Sequence, residues 1–158
     1  MKIGMSKDIH RLVEGRDLIL GGVLIPHNKG LLGHSDADAL THSIIEAIIG
    51  ALGLKDIGTH FPDNDPKYKG ISSLVLLEKT YKMMREKGYH IGNIDSLIMI
   101  EEPKMAPHID SMRENIARVL HTSIDNINIK ATRGEGLGFV GEKLGVEAST
   151  VVLLEEDR

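Results

Sequence analysis

The chain carries an Asp-x-His motif at Asp8 and His10 and a later run, Gly33 to His42, with two further histidines. Residues two apart on a strand point to the same face, so a strand here presents Asp8 and His10 together. His42 lies near a predicted helix start, so a fold that uses all three residues must bring that helix against the strand. Two imidazoles and a carboxylate suit Zn²⁺, with Mn²⁺ or Co²⁺ as substitutes, and leave one coordination position open. The spacing alone leaves the alternative that each histidine is an ordinary surface or capping residue.

The composition excludes several classes of protein. The 158 residues carry a formal net charge of −4 and no long Lys/Arg cluster, which disfavours a nucleic-acid surface. The chain contains no Cys, so a metal can be held only by His, Asp and Glu. Because no apolar stretch approaches a membrane span and the first residues lack an apolar signal region, we expect no membrane partner and a cytoplasmic protein.

Strand and helix patterns alternate along the chain. Two apolar triplets joined by Gly21 and Gly22 predict a β-hairpin, and Ser35 with Asp38 predicts a capping box at the start of the next helix. The other predictions are strands at 3–10, 97–100, 127–131 and 147–154, helices at about 40–53, 74–88 and 109–120, and a loop at 55–69. We therefore expect one α/β or α+β domain over residues 1–158, a mixed β-sheet with helices on one face.

Three polar residues precede the first long helix. Asp36 is predicted to satisfy backbone donors at the helix start, and Asp38 either does the same or orients a ligand imidazole. His34 is the better candidate for function, because an anionic substrate is attracted to the same helix start.

A glycine-rich run, Lys130 to Phe139, follows a predicted strand. It carries a cation, a hydroxyl and a carboxylate, and backbone N–H groups in such loops form anion-binding concavities. The segment Gly136 to Gly141 matches the dinucleotide pattern GxGxxG, but it begins several residues after the strand and no helical pattern follows. We therefore reject a dinucleotide site; an ordinary surface turn is the alternative for this run.

Two further loops carry groups that can bind a substrate. The polar loop from Lys55 to Pro66 carries Asp56 and Asp63, which can hold the hydroxyls of a polyol, although solvated loop carboxylates are common. The run from Pro103 to His108 follows a buried strand, and its two prolines stiffen a backbone that can present N–H and C=O groups to a base edge.

Together these segments resemble the 2-C-methyl-D-erythritol 2,4-cyclodiphosphate synthase family over essentially the whole length and in the same order. Each motif alone is weak evidence for this family, but the motifs together are specific to it. They are Asp8-x-His10, His34-Ser35-Asp36-x-Asp38 with His42, Asp56-Ile57-Gly58 with Phe61-Pro62-Asp63-x-Asp65-Pro66, Pro103-Lys104-Met105, and Lys130-Ala131-Thr132 with Glu135-x-Leu137-Gly138-Phe139.

The resemblance implies a homotrimer with active sites between neighbouring subunits and Zn²⁺ on Asp8, His10 and His42. It implies the substrate 4-diphosphocytidyl-2-C-methyl-D-erythritol 2-phosphate, whose 2-phosphate attacks the β-phosphorus and expels CMP. Zinc would polarise the β-phosphate, and Mg²⁺ or Mn²⁺ would bridge the diphosphate with help from Glu135.

The resemblance also assigns residues to the substrate. His34, Thr132 and Arg133 are expected to stabilise developing charge as catalytic residues, and the Ile100–Ala106 loop is expected to receive cytosine. The substrate-binding residues expected on this basis are Ser35, Asp56, Ile57, Gly58, Phe61, Asp63, Asp65, Lys104, Met105, Ala106, Thr132, Glu135, Phe139 and Glu142.

The chain departs from the family pattern at several positions. Arg133 stands where a second Thr is usual, and a guanidinium can also contact phosphate. The family often has an apolar or aromatic residue at position 7 and an Arg at position 142, where a cavity along the trimer axis can hold a prenyl diphosphate. This chain has Lys7 and Glu142 at these positions. We therefore expect weak or absent binding of such a ligand and a Lys7–Glu142 contact across subunits. Met5-Ser6 replaces a glycine-containing stretch and Ala37 stands where glycine is usual, and we expect both changes to be tolerated.

Two other functions remain open from the sequence. A metal-dependent phosphohydrolase would use the same zinc to activate water and would release inorganic phosphate. A non-catalytic metal- or nucleotide-binding oligomer would show no turnover.

Overall fold

The computed structural model describes all 158 residues. Its strands are β1 (Lys2–Val13), β2 (Leu18–Leu20), β3 (Val23–Ile25), β4 (Gly30–Leu31), β5 (Tyr89–Met99), β6 (Ile127–Thr132) and β7 (Gly145–Glu156). Its α-helices are α1 (Ala39–Ala51), α2 (Ile57–His60), α3 (Ser73–Glu86), α4 (Ile109–Val119) and α5 (Gly138–Gly141). Short 3₁₀ turns span Pro66–Tyr68, Ala106–His108 and Ile124–Asn126.

Five strands form one mixed sheet in the order β4-β1-β7-β5-β6. The β5–β6 pair is parallel and the other pairs are antiparallel. The predicted hairpin is confirmed as β2–β3, where Gly21 and Gly22 have φ of 58° and 72°, as a tight two-residue turn requires. The mixed sheet predicted from the sequence is thus confirmed.

The three long helices α1, α3 and α4 pack on one face of the sheet. Alternate residues of the strands enter this layer, so that Ile94, Ile98 and Val152 are fully buried. Helix α1 approaches β1 closely: a Cβ at Gly4 would lie 1.9 Å from the carbonyl oxygen of Ala47. This close packing carries the first turn of α1 towards the strand that bears Asp8.

The opposite face of the sheet carries no helix layer. Ile3, Met5 and Ile9 on β1 and Val151 on β7 are 70%, 68%, 52% and 53% exposed. They alternate with the buried residues of the same strands, so they lie on one face, here called the open sheet face, which also carries the charged pair Lys7 and Glu147.

The structure corrects several predicted elements. The N-cap of α1 is Asp38, and the capping box at Ser35 is wrong. The predicted loop at 55–69 contains α2 and a 3₁₀ turn, and the strand predicted at 97–100 begins at Tyr89.

The glycine-rich run is followed by one helical turn, α5, which the sequence pattern missed. Strand β7 then runs antiparallel to β5, whereas β6 runs parallel to it. The run therefore lies outside any parallel βαβ unit, and the rejection of a dinucleotide site holds. None of the helices has the length and apolar character needed to cross a lipid bilayer.

Candidate functional site

Asp8, His10 and His42 come together where β1 meets the first turn of α1. Oδ2 of Asp8 lies 2.8 Å from Nε2 of His10 and 3.3 Å from Nδ1 of His42. One donor atom from each residue lies within 4.8 Å of the others. The convergence predicted from the sequence is therefore confirmed, and the surface-residue alternative is excluded for these two histidines.

A backbone carbonyl group orients the ring of His10 on the side away from Asp8. Its Nδ1 lies 2.8 Å from the carbonyl oxygen of Leu32. A carbonyl only accepts, so Nδ1 carries the proton and, in the neutral ring, Nε2 presents its lone pair to Asp8. Gly33 leaves room for the ring, because a Cβ there would lie 3.1 Å from Cε1 of His10.

The ring of His42 is held by two hydroxyls. Its Nε2 lies 2.8 Å from Oγ of Ser73 and 3.1 Å from Oγ of Ser35. Ser73 donates its hydroxyl hydrogen to Asp36, so its oxygen accepts from the N–H of His42. Nδ1 of His42 is then left with a lone pair that faces Asp8.

Oδ2 of Asp8 and Nε2 of His10 are buried and lie 2.8 Å apart. Because Nδ1 carries the His10 proton, neither atom has a hydrogen to donate to the other, so both lack a donor. Unsatisfied buried polar atoms are rare and costly in proteins. Burial raises the pKa of Asp8, but the two imidazoles outweigh burial and bring it to about 2. Burial lowers the pKa of His10, whereas the Asp8 carboxylate raises it, and the net shift is upward. An anionic oxygen and two lone-pair nitrogens fit a divalent cation such as Zn²⁺.

Asp36 and Asp38 have different roles. The fully buried carboxylate of Asp38 accepts from the backbone N–H groups of Gly21, Gly22 and Thr41 and from the Thr41 hydroxyl. Asp38 therefore ties the hairpin to α1, and the alternative that it orients an imidazole is wrong. Asp36 accepts from backbone N–H groups as predicted, and it also holds Ser73, so that it acts on His42 through that hydroxyl.

The cluster opens into a cavity of about 510 Å³. Residues outside the cluster also line the cavity, among them Phe61, Tyr68 and Leu76. The predicted site residues that line it are Asp8, His10, His34, Ser35, His42, Ile57, Gly58, Phe61 and Asp63. Sequence reasoning missed Asn64, Tyr68 and Leu76, which have no distinctive spacing.

Two other predicted substrate-binding residues, Asp56 and Asp65, stand at helix starts beside this cavity. Asp56 is the N-cap of α2 and accepts from Thr59. Asp65 caps the following 3₁₀ turn, and its carbonyl oxygen lies 2.7 Å from Nε2 of His34. Neither side chain lines the cavity wall, so hydrogen bonding within the loop accounts for both in this structure.

A second recess of about 220 Å³ lies at the carboxyl ends of β5 and β6. Its predicted members are Lys104, Met105, Ala106, Thr132 and Arg133. Asp8 pairs with Ala148, Ala148 with Ile98 and Ile98 with Ala131, so Asp8 in the first cavity and Ala131 in the second are three strand spacings apart, roughly 14 Å.

Three predicted substrate residues, Glu135, Phe139 and Glu142, line neither cavity and are exposed. Lys7 pairs within its own chain with Glu147, at 3.6 Å. One chain thus presents two separate halves of the predicted site.

The glycine-rich run is organised differently from the expectation. The N–H groups of Gly134 and Gly136 donate to the carboxylate of Glu101 at 2.8 and 2.9 Å. These two groups are therefore occupied and do not form an open anion-binding concavity. Sequence reasoning missed Glu101, because nothing in the local pattern links it to a loop more than thirty residues away.

Comparison with known proteins extends over the whole chain. Residues 1–155 match the YgbB family. A 2-C-methyl-D-erythritol 2,4-cyclodiphosphate synthase from Clostridioides difficile is 60% identical over 154 residues, covering 98% of this chain and 96% of that protein. A protein of the same name from Pelobacter propionicus is 59% identical over 154 residues, with 98% of each chain covered.

Solved structures share the fold. A CDP-bound form of a 2C-methyl-D-erythritol-2,4-cyclodiphosphate synthase gives a TM-score of 0.89 at 36% identity, covering 98% of this chain and 100% of that one. The bifunctional IspDF from Campylobacter jejuni gives a TM-score of 0.94 at 42% identity over 98% of this chain, which spans 42% of that protein. This chain therefore belongs to the YgbB family, and its resemblance to the 2-C-methyl-D-erythritol 2,4-cyclodiphosphate synthases is confirmed.

Proposed function

We propose that this protein converts 4-diphosphocytidyl-2-C-methyl-D-erythritol 2-phosphate into 2-C-methyl-D-erythritol 2,4-cyclodiphosphate and CMP, in the non-mevalonate isoprenoid pathway. The observation that carries the proposal is the convergence of Asp8, His10 and His42, with two unpartnered buried atoms, at the wall of a 510 Å³ cavity. Family membership supplies the substrate class.

The reaction is an intramolecular phosphoryl transfer. An oxygen of the 2-phosphate forms a bond to the β-phosphorus, the bond from that phosphorus to the bridging oxygen breaks, and CMP leaves with that oxygen. Such a transfer asks the protein mainly for positioning and for neutralisation of charge. No activated water is needed, because the nucleophile belongs to the substrate.

Asp8, His10 and His42 would hold Zn²⁺, or Mn²⁺ or Co²⁺ in its place. When bound, this ion supplies a Lewis acid that polarises a phosphoryl oxygen. Glu135, with an exposed carboxylate, would hold a second divalent cation, Mg²⁺ or Mn²⁺, on the diphosphate. The proposed enzyme is a phosphorus–oxygen lyase, because CMP leaves by ring closure without the addition of water, and divalent cations would assist this step.

Side chains of the two cavities would bind different parts of the substrate. The loop with Asp56, Gly58 and Asp63 would hold the erythritol hydroxyls beside the cluster. The recess at Lys104–Ala106 would receive cytosine, and solved relatives with CDP bound support a cytidine ligand. Thr132 and the exposed guanidinium of Arg133 at this recess would donate to phosphate oxygens. On the cluster side His34, whose Nε2 already donates to the carbonyl oxygen of Asp65, would stabilise developing charge.

We propose a homotrimer in which the metal half of one subunit meets the cytidine half of its neighbour. Two observations support this assembly. Asp8 and Ala131, one from each half, are roughly 14 Å apart within one chain, and the open sheet face exposes Ile3, Met5 and Val151. Contiguous apolar surface of this kind is typical of subunit interfaces. Three further statements stay predictions: the Lys7–Glu142 contact across subunits, the single-domain boundaries and the cytoplasmic location.

The proposed axial ligand can be tested separately. Because Lys7 and Glu142 replace the usual apolar residue and Arg, we expect calorimetric titration with a prenyl diphosphate to give weak binding or none. Tight binding would contradict this part of the proposal.

The decisive experiment identifies the product. The purified protein is incubated with the cytidine substrate and Zn²⁺ plus Mg²⁺, and phosphorus NMR follows the products. Cyclic diphosphate with CMP supports the proposal. Release of inorganic phosphate would indicate a phosphohydrolase, and no turnover by metal-loaded protein would indicate a binding protein; either result overturns the proposal.

A further inference from the structure

The carboxylate of Glu101 sits inside the glycine-rich run. Its Oε1 accepts from the N–H of Gly134 and its Oε2 from the N–H of Gly136, at 2.8 and 2.9 Å. The two bonds use both oxygens and span the residue Glu135. An anion held by two converging backbone N–H groups is the arrangement in which such loops bind phosphate. Here a side chain of the same chain occupies that position.

The surroundings of Glu101 keep its carboxylate charged and bound to the two N–H groups of the loop. Its side chain is only 7% exposed, whereas the neighbouring Arg133 is 67% exposed. The N–H groups of Gly136 and Gly134 and the nearby cations keep the pKa of Glu101 below its usual value, so the carboxylate is charged at neutral pH. Nε of Arg133 lies 4.0 Å away, close enough for attraction and too far for a hydrogen bond.

The backbone held by Glu101 has an unusual conformation. Glu135, Gly136 and Gly138 have φ of 55°, 74° and 65°. A positive φ is uncommon for a glutamate and needs support from its surroundings. The loop is also closed tightly on itself, because a Cβ at Gly134 would lie 2.7 Å from the backbone nitrogen of Gly141. The two bonds to Glu101 supply the support on the side that faces the second recess.

Glu101 also joins the two segments proposed to contact the nucleotide. It follows Ile100 at the end of β5, and it lines the second recess together with Met105 and Arg133. The backbone N–H of Ile100 donates to the carbonyl oxygen of Thr132, so the segments are already aligned one residue earlier. The Glu101 bonds extend that alignment from the end of β6 to the residues that would face phosphate.

We propose that Glu101 is a positioning residue: by holding Gly134 and Gly136 it fixes the backbone from Thr132 to Glu135 for phosphoryl transfer. This inference rests on the proposed function. Glu101 itself contacts no reacting atom. Its effect is to set Thr132, Arg133 and Glu135 in place before the substrate arrives, and misplacement of such groups by about 1 Å can cost on the order of 100-fold in rate.

The test compares full-length Glu101→Ala and Glu101→Gln with the native chain. Backbone amide exchange at Gly134 and Gly136 is measured by NMR, and kcat and KM are measured for formation of cyclic diphosphate. In Glu101→Ala we expect both amides to exchange at least about 10-fold faster and kcat to fall about 10- to 100-fold. KM should change by less than about 3-fold, because the two Glu101 hydrogen bonds hold the run proposed to face phosphate, whereas cytosine is proposed to contact Lys104–Ala106.

Glu101→Gln retains one acceptor oxygen, so it should recover part of the lost kcat and protect one of the two amides. A general loss of stability would not produce this graded recovery. Asp157→Ala is the matched control: Asp157 is also a carboxylate that accepts two side-chain hydrogen bonds, from Arg85 and His90, but it lies beyond the other end of β5. It should leave kcat unchanged.

Two results would overturn the inference. One is unchanged amide protection in Glu101→Ala, and the other is native kcat with both amides deprotected. Absence of cyclic product from the native chain would reject the proposed function instead, and the amide exchange would still decide whether Glu101 holds the loop.

Discussion

Oγ of Ser73 lies 2.8 Å from Nε2 of His42, although the two residues are 31 positions apart in the chain. Ser73 begins α3 and passes its own hydrogen to Asp36, so a carboxylate fixes a hydroxyl that in turn fixes an imidazole. Groups that orient a ligand histidine in this way typically change metal affinity by 10- to 100-fold when they are removed.

We therefore expect Ser73→Ala to weaken Zn²⁺ binding by about 10-fold or more. Competition with a chromophoric chelator measures the dissociation constant. Ser72→Ala is the control, because the exposed Ser72 side chain makes no capping hydrogen bond. Equal affinities in the two variants would mean that His42 is oriented without Ser73.

Removal of the metal should abolish turnover. Dialysis of the protein against a chelator is expected to reduce cyclic diphosphate formation more than about 100-fold, since several kcal/mol of charge stabilisation is lost. Added Zn²⁺ should restore the native chain. His42→Ala should not be restored, because it lacks one of the three donors. Little damage from His42→Ala would contradict a catalytic metal.

Asp38 and Asp56 both cap helices, yet their substitution should have different consequences. Asp38→Ala leaves buried N–H groups of Gly21, Gly22 and Thr41 without an acceptor, and we expect a loss of about 3 kcal/mol or more in unfolding free energy. Asp56→Ala removes an exposed cap, so stability should change little while KM rises. Urea unfolding and steady-state kinetics on the same samples separate the two effects; a stable, inactive Asp38→Ala would contradict this assignment.

Acidification should remove the stabilisation that Asp157 provides. His90 and then Arg85 lower the pKa of Asp157 below 3.8 in the folded chain, so the unfolded chain binds this proton more readily. The contribution is present above the unfolded pKa and is lost as the pH falls through the lower folded value. The difference in thermal midpoint between the native chain and Asp157→Asn should therefore shrink below about pH 4. A constant difference from pH 7 to pH 3 would refute this explanation.

The open sheet face should be required for assembly. Val151→Lys places a charge among exposed apolar residues such as Met5 and Ile3, and burying it unpaired in an interface is costly. Analytical ultracentrifugation should show trimers for the native chain and smaller species for Val151→Lys. Lys79→Gln, on a helix, is the control. Trimers of undiminished stability in Val151→Lys would place the interface elsewhere.

Local pattern was sufficient for much of the fold. The hairpin at Gly21 and Gly22, the helices α3 and α4 and the face shared by Asp8 and His10 were predicted, because turns, helical spacing and strand alternation are properties of near neighbours. The capping box at Ser35 failed for a tertiary reason. Asp38 gains two donors from the hairpin, and this makes it the helix cap.

The candidate site was predicted only in part. The residue types at Asp8, His10 and His42 indicated a metal, and the order of motifs indicated a family. Ser73 and Glu101 were not found, since each acts on a segment more than thirty residues away. A serine at a helix start or a glutamate after a strand looks ordinary until its distant partner is known.

The sequence by itself therefore determined the donor atoms available, the secondary structure elements that carry them and the family of the chain. The tertiary structure alone decided which way each imidazole faces, which N–H groups are occupied and that the predicted site residues are divided between two cavities. Residue chemistry and short-range periodicity depend only on residues that are close together in the chain. Hydrogen-bond partners are set by how β1, α1 and α3 pack, which depends on the whole core.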